Sequence, residues 1–253
     1  MILYSKQRLT IAEFHFDEQG APPDVDIIRY QSRPERVPGT ICYPFSTILI
    51  DLREEPDTLL AQMSKTTRNE IRRAAKDDLL FEFNAQPDNR WIAGFFEFYR
   101  EFAQLKGLAE LNRERLLGMR DCQALVLTRI KSADGTDLVW HCYVHVNGWA
   151  RLVHSASLFR ATEKTQQAVL SRANRHLHWL DMLRFRGQGF SIYDFGGWYA
   201  GQDDAEKLNI NRFKEGFGGR VAAQYNTDHG ITLKGALAVR LRHAVGAIRG
   251  RKQ

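Results

Sequence analysis

A histidine on a strand and a basic row on a helix are residue groups that could do chemistry. His154 stands between Val153 and Ser155 in a strand-like segment. A neutral imidazole with an ordinary pKa near ~6.5 suits a proton acceptor. A histidine in a central strand can equally spend its ring on a local hydrogen bond. Lys65, Arg68, Arg72 and Lys76 fall at i, i+3, i+7 and i+11 of a helical segment, which makes one basic stripe. Such a stripe could grip a phosphate, arginine doing so with a planar fork; the alternative is a solvated helix face. His141 and His145 share a strand face, but no acid or thiol stands near them in sequence on that face. His176 and His178 project to different helix faces and form no ligand pair. Cys42, Cys122 and Cys142 form no C-x-x-C pair, so neither a disulfide framework nor a zinc knuckle is indicated, and no metal is expected.

Composition sets the outer limits. The chain has 253 residues, 43% hydrophobic and 26% charged. These fractions belong to a globular chain with a sizeable core, not to a disordered or collagenous one. No stretch approaches the ~20 apolar residues of a membrane span, and the start, Met1 to Arg8, lacks the apolar run of a secretory signal. A reducing cytoplasm is the expected compartment. Charge is uneven. Lys234, Arg240, Arg242, Arg249, Arg251 and Lys252 lie in 231–253, which holds no Asp or Glu, and they equal the net excess of +6. A neutral body with a basic tail is not the profile of a dedicated DNA-binding domain. It suits contact with something anionic at one end, such as phospholipid, RNA or an acidic carrier protein. If the tail is helical, Leu237, Leu241, Val245 and Ile248 fall on one stripe. That helix either lies on a membrane surface, making the protein peripheral to the inner face, or docks on its own domain.

The elements that must position these groups can be read coarsely. Strands are predicted over 8–16, 26–31, 46–52, 81–83 and 124–130. Helices are predicted from Asp57, an N-cap after Pro56, to about Lys76, over 88–106 and over 111–119. Asn147-Gly148 between 138–146 and 149–157 is the strongest short hairpin signal. A long helix follows, about 163–186, then a strand over 191–195, a helix over 204–215 stopped by Gly216, Gly218 and Gly219, and a closing strand over 221–225. The order predicts a mixed α/β (α+β) sheet without the regular βαβ repeat of a dinucleotide-binding domain. The aromatics of 91–102 recur at helical spacing and read as core, not as a base-stacking platform.

This order resembles the GNAT acyltransferase fold, and three segments sharpen the likeness. Lys65-Thr66-Thr67-Arg68-Asn69-Glu70-Ile71-Arg72-Arg73-Ala74 looks like the "k-t-R-n-e-I-r-k-A" helix of the Fem-type branch, the peptidoglycan interpeptide-bridge aminoacyltransferases and their relatives. Tyr193-Asp194-Phe195-Gly196-Gly197 resembles that branch's "y-D-f-G-G" strand end, and Phe213-Lys214-Glu215-Gly216-Phe217-Gly218-Gly219 its "F-K-e-g-F-G" corner. The well-known Fem enzymes carry two such domains; this chain has room for one.

The resemblance implies an N-acyltransferase with two parallel strands, here 149–157 and 191–195, splaying to expose a backbone donor for the oxyanion. It places a functional lysine at Lys214, whose charge would hold the donor's carbonyl oxygen or a phosphate. Asp194 would accept a hydrogen bond from the acceptor amine, or cap its own Gly-Gly turn. His154 is the base candidate. Lys65, Arg68 and Arg72 would hold an anionic substrate group, and Trp198 and Tyr199 would wall the acceptor site. Where many GNAT enzymes hold the coenzyme A pyrophosphate stands Leu158-Phe159-Arg160-Ala161-Thr162, with Arg160 placed to assist a helix N-terminus. Acyl-CoA, acyl-carrier protein and aminoacyl-tRNA are all admissible donors. The acceptor would be an amine on a sugar, an amino acid or a lipid-linked glycan precursor, in cell-envelope polysaccharide synthesis. The expected organisation is a strand-rich extension over 1–45, a GNAT-like domain over 46–230 and a basic amphipathic tail over 231–253. The rival readings are a catalytically inert GNAT-like adaptor that binds a membrane or synthase complex through the tail, and an RNA-binding protein.

Overall fold

The computed structural model describes residues 1–20, 24–157 and 164–250, without side chains at 164–166 and 246–250. Ten strands and seven helices among these residues make a mixed α/β fold, as the element order predicts. They gather into two compact units, one of residues 47–113 and 123–222, the other of 1–46, 114–122 and 223–253.

The larger unit opens on β4 (Ile41–Asp51), whose second half is a run of buried aliphatics. The single helix expected from Asp57 to Lys76 is instead two, α1 (Pro56–Gln62) and α2 (Lys65–Ala74). Glu55, not Asp57, is the α1 N-cap residue, and Pro56 takes the first turn, where its missing N–H costs nothing. The break has a local cause. Ser64 is extended, and its Oγ accepts the Thr67 N–H at 3.1 Å, starting a new helix. Lys76 therefore lies beyond the helix that was to carry it.

β5 (Leu80–Asn84), β6 (Leu125–Lys131), β7 (Asp137–Val146) and β8 (Trp149–Ser157) pair antiparallel in sequence order. The Asn147-Gly148 turn has φ of 50° and 75°, the left-handed pair a type I′ hairpin needs. β9 (Ile192–Trp198) pairs parallel to β8, and the strand order is β4-β9-β8-β7-β6-β5. Two helices cover the two faces. α3 (Asn89–Lys106), capped by Asp88, packs Phe95 and Phe98 against Trp140. α5 (Lys164–Gly187) meets the opposite face, where His141, the next residue along β7, points. α6 (Ala205–Glu215), capped by Asp204, follows β9. The core between α5 and the sheet is largely aromatic, with Tyr143, Phe185, Tyr193, Phe195 and Phe217 all fully buried.

The smaller unit contains β1 (Ile2–Lys6), β2 (Leu9–His15), β3 (Ile27–Arg33), α4 (Arg113–Asp121), the later part of β10 (Arg220–Gly230) and α7 (Leu233–Gly250). β1 was not foreseen; it pairs antiparallel with β2, while β2 and β3 run parallel. Glu13 of β2 is fully buried yet ionised. Burial pushes its carboxyl up, but Arg115 of α4, with Nε 3.0 Å from Oε1, and His15 at 2.7 Å outweigh this and hold it well below the carboxylate range. α4 comes this close because Gly118 presents no side chain to β1; a Cβ there would lie 2.3 Å from the Leu3 carbonyl oxygen. Gly118→Ala is therefore expected to cost about 1–3 kcal/mol by pushing α4 away from β1, read as a lower urea midpoint.

Candidate active site

β8 and β9 are paired only at Trp149–Ile192, Ala150–Tyr193 and Arg151–Asp194; beyond these residues the two strands continue without pairing. The parting has a visible cause. β8 carries a bulge, since Cys142 faces His154 and Tyr143 faces Leu152, which leaves Val153 as the extra residue. On the other strand Gly196 takes φ of +74°, and a Cβ there would sit 3.0 Å from the Leu152 carbonyl oxygen. Only glycine combines this conformation with that approach at low cost.

A cavity of about 530 Å³ opens beside the parting strands, lined by Leu152, Ser155 and Ser157 of β8, Phe195 of β9 and residues of α3, α5 and α6. Its polar groups include His178, Arg175, Asn174, Lys106 and Lys214. Among the described residues Glu206 is its one carboxylate, and it lies 3.5 Å from Lys106. Arg175 stacks over Phe213 at 4.8 Å and donates to Ser171 Oγ at 2.6 Å. Its Nε is buried with no partner among the described residues.

Lys214 stands in the last turn of α6, half-buried, and its Nζ donates to the Gly197 carbonyl oxygen. Burial lowers its pKa to about 8, assisted by the Arg151 cation and opposed by the Asp194 carboxylate. A lysine so placed changes charge close to neutral pH, which an exposed one does not.

The sequence set His178 aside, since it and His176 project to different helix faces and form no ligand pair. In the structure its ring is 2% exposed, lines the cavity and is backed by a chain of hydrogen bonds. Nδ1 meets the Tyr193 hydroxyl at 2.7 Å, which meets the Tyr143 hydroxyl at 2.8 Å. Tyr143 donates to Asp181 Oδ2 at 2.6 Å, and Asp181 meets His141 Nδ1 at 2.8 Å. His141 Nε2 returns to Asn174 Oδ1 at 2.9 Å, on the cavity wall. Burial first, then the His141, Lys214 and Arg175 charges, hold the His178 pKa well below the usual histidine value. Burial raises the pKa of the Asp181 carboxyl and of both tyrosines. His141 thus belongs to this buried chain, while His145 packs edge-on against Phe190.

The other residues singled out from sequence fall into place as follows. His154 packs its ring against Tyr99 at 5.0 Å and Phe95 at 6.4 Å, on the α3 face and outside the cavity. The Val153 bulge put it there: without an extra residue His154 would share the face of Leu152. Asp194 is fully buried, accepts from Thr47 Oγ1 and from the Gly196 N–H at 2.7 Å, and lies 3.4 Å from Arg151. It holds the ends of β4, β8 and β9 together.

Arg68 donates to the carbonyl oxygens of Ala61 at 3.0 Å and Met63 at 2.5 Å, capping the end of α1. Lys65 and Arg72 are exposed. Arg72, Arg73 and Lys76 border an open groove on α2 that is separate from the cavity. Trp198 donates to Glu215 at 2.8 Å, and Tyr199 bonds Asp203 and, through its backbone, Asn211. Neither ring lines the cavity. Arg160 lies outside the described residues. The three motifs nevertheless meet in space. The Ser64 N–H donates to the Gly216 carbonyl oxygen at 2.9 Å, so the start of α2 is tied to the end of α6, while Lys214 ties α6 to the end of β9.

No protein-family model matches the chain, and no curated protein matches it in sequence. Solved structures match it in fold. FemX is similar over 74% of this chain and 61% of its own, at 14% identity and a TM-score of 0.60. This chain therefore spans about three fifths of FemX. L-PGS from Bacillus licheniformis is similar over 85% of this chain and 72% of its own, at 13% identity and a TM-score of 0.51. A conserved protein of unknown function from Bacteroides thetaiotaomicron covers 76% of this chain with 63% of its own, at 10% identity and a TM-score of 0.51. The shared feature is the GNAT-like fold.

Proposed function

We propose that this chain is an N-acyltransferase. It moves an acyl or aminoacyl group from a thioester or an aminoacyl-tRNA to an amine on a sugar, an amino acid or a lipid-linked glycan precursor. The observation that carries the reading is the parting of β8 from β9 beside a cavity that holds both a neutral histidine and a cationic lysine. Acyl transfer to an amine needs little more: a neutral nucleophile, a polarised carbonyl and alignment of the two.

In this reading the amine nitrogen attacks the donor carbonyl carbon. The C–N bond forms, and the nitrogen's proton passes to His178. The C–S or C–O bond to the carrier then breaks, and the proton held by His178 passes through water to the leaving group, which restores the neutral imidazole. Lys214 faces the carbonyl oxygen as charge develops on it. His178 replaces His154 as the base, because it is the histidine whose ring lines the cavity. Arg175 and Lys106 take the anion-binding role first read onto Lys65, Arg68 and Arg72. Asp194 is a positioning residue, and Trp198 and Tyr199 support the β9–α6 connection rather than wall the acceptor.

Thermal-shift measurement with acetyl-CoA, longer acyl-CoAs, free CoA, acyl-carrier protein and aminoacyl-tRNA tests the donor. A ligand at 100 times its dissociation constant stabilises the fold by about 2.7 kcal/mol, a shift of several degrees. A shift that grows with one acyl chain names the thioester class. A shift with aminoacyl-tRNA alone names that donor. No shift with any of them contradicts the enzyme reading and favours the inert adaptor.

A further inference from the structure

α7 buries one side and leaves an apolar stripe bare on the other. Val239 is 5% exposed and Arg242, three residues on, donates to Asp228 at 2.8 Å; these two contacts fix the rotation of the helix. Lys234, on the leucine side, reaches Asp26 at 2.9 Å from the first turn. At 100° per residue, Leu233, Leu237 and Leu241 fall on the side away from Val239, with Val245 at their margin. Their exposures are 93%, 60%, 57% and 48%. Ile231, 48% exposed, stands just before the helix, and Ile248 continues the same stripe in sequence. The apolar row runs roughly 18 Å along the helix.

The sequence offered two fates for this segment, docking on its own domain or lying on a membrane. The structure uses Val239 and Arg242 for docking and leaves the leucines unspent.

We propose that this outward face of α7 docks on an anionic phospholipid surface, the leucines entering the boundary of the acyl chains and the cations meeting the headgroups. Charge decides the occupant. Residues 231–253 carry six Lys and Arg and no Asp or Glu, and Arg240, exposed, stands beside the leucine row. A second copy would set the same cations against each other, whereas an anionic surface neutralises them. The helix would lie in the plane of the interface. No helix among the described residues is long and apolar enough to cross a membrane.

Vesicle sedimentation of the full chain tests this, independently of any transferase activity. With phosphatidylcholine containing about a third phosphatidylglycerol, the protein is expected to pellet, and less so as salt rises. Leu237→Ser with Leu241→Ser should lower the partition by about tenfold, since both side chains are exposed and their loss spares the core. Arg240→Glu should weaken binding to the anionic vesicles. Thermal melts of the variants confirm that the fold is kept. Absence of pelleting, equal pelleting with pure phosphatidylcholine, or a double variant that binds like the wild type overturns the proposal. So does a concentration-dependent dimer abolished by the same double substitution, which would give the face to a second copy.

Discussion

Replacing Lys214 by alanine is expected to lower the proposed acyl transfer by about 10²- to 10³-fold, the usual cost of losing one group aimed at a developing oxyanion, while the protein stays folded. The pH dependence separates this role from a structural one. The cation is the useful form, and its pKa is lowered to about 8 by burial. The rate therefore falls as pH rises through that value. Lys214→Arg, charged at every working pH, keeps part of the rate and loses the alkaline limb. The stability effect has the opposite sign. A lysine whose folded pKa lies below its unfolded value of 10.5 leaves the folded state binding fewer protons between about pH 8 and 10.5, so stability rises with pH across that window. Below it the half-buried cation weighs against folding. Lys214→Ala is thus expected to melt at or slightly above the wild-type temperature, despite losing the bond to Gly197. A variant with normal turnover, or one that loses activity only because it unfolds, contradicts the assignment.

His178→Phe is expected to slow transfer by about 10²-fold, the lower end of what a positioned base contributes. Phenylalanine keeps a ring among Phe195, Phe213 and Phe217 and removes only the nitrogens. The Tyr193 hydroxyl keeps Tyr143 as a partner. Burial and the neighbouring charges hold the wild-type imidazole neutral well below its usual pKa, so the acid limb of the rate profile lies below pH 6.5. Here too the linkage can be measured. The unfolded chain takes up a proton at this histidine near pH 6.5, whereas the folded one does not, so stability falls as pH drops below that value. The variant loses this part of the acid sensitivity. Comparing its KM with its kcat completes the test, since a wall residue would alter mainly KM.

How far the sequence reached depends on the range of the interaction concerned. Local signals transferred well. The helices expected from 88 and 204 do start there, capped by Asp88 and Asp204, and Asn147-Gly148 turns its hairpin, because each is set by bonds a few residues apart; Asp57, the one residue read as an N-cap, lies inside α1 instead. The break at Ser64 was missed because the apolar positions of α1 and α2 continue one helical pattern across an extended residue. His154 was misplaced by one inserted residue, Val153, since strand alternation cannot show a bulge on a single strand. His178 needed Tyr193 from β9, Tyr143 and His141 from β7, and Asp181 from its own helix before its ring meant anything. Arg68 illustrates the converse. Its motif context was legible, but its guanidinium serves the carbonyls of α1. The motifs marked the joints of the fold more than the lining of the cavity.

In the proposed reaction an acyl group leaves its carrier in this cavity because an amine arrives there. The measurement that tests it most directly is amine-dependent consumption of labelled donor, with acyl-CoA and aminoacyl-tRNA each offered alongside amino sugars and amino acids. Turnover with one donor is expected to require the amine, to fall by about 10²-fold in both Lys214→Ala and His178→Phe, and to persist in Arg72→Ala outside the cavity. Donor consumption that ignores the amine, or that survives both cavity substitutions, would contradict it.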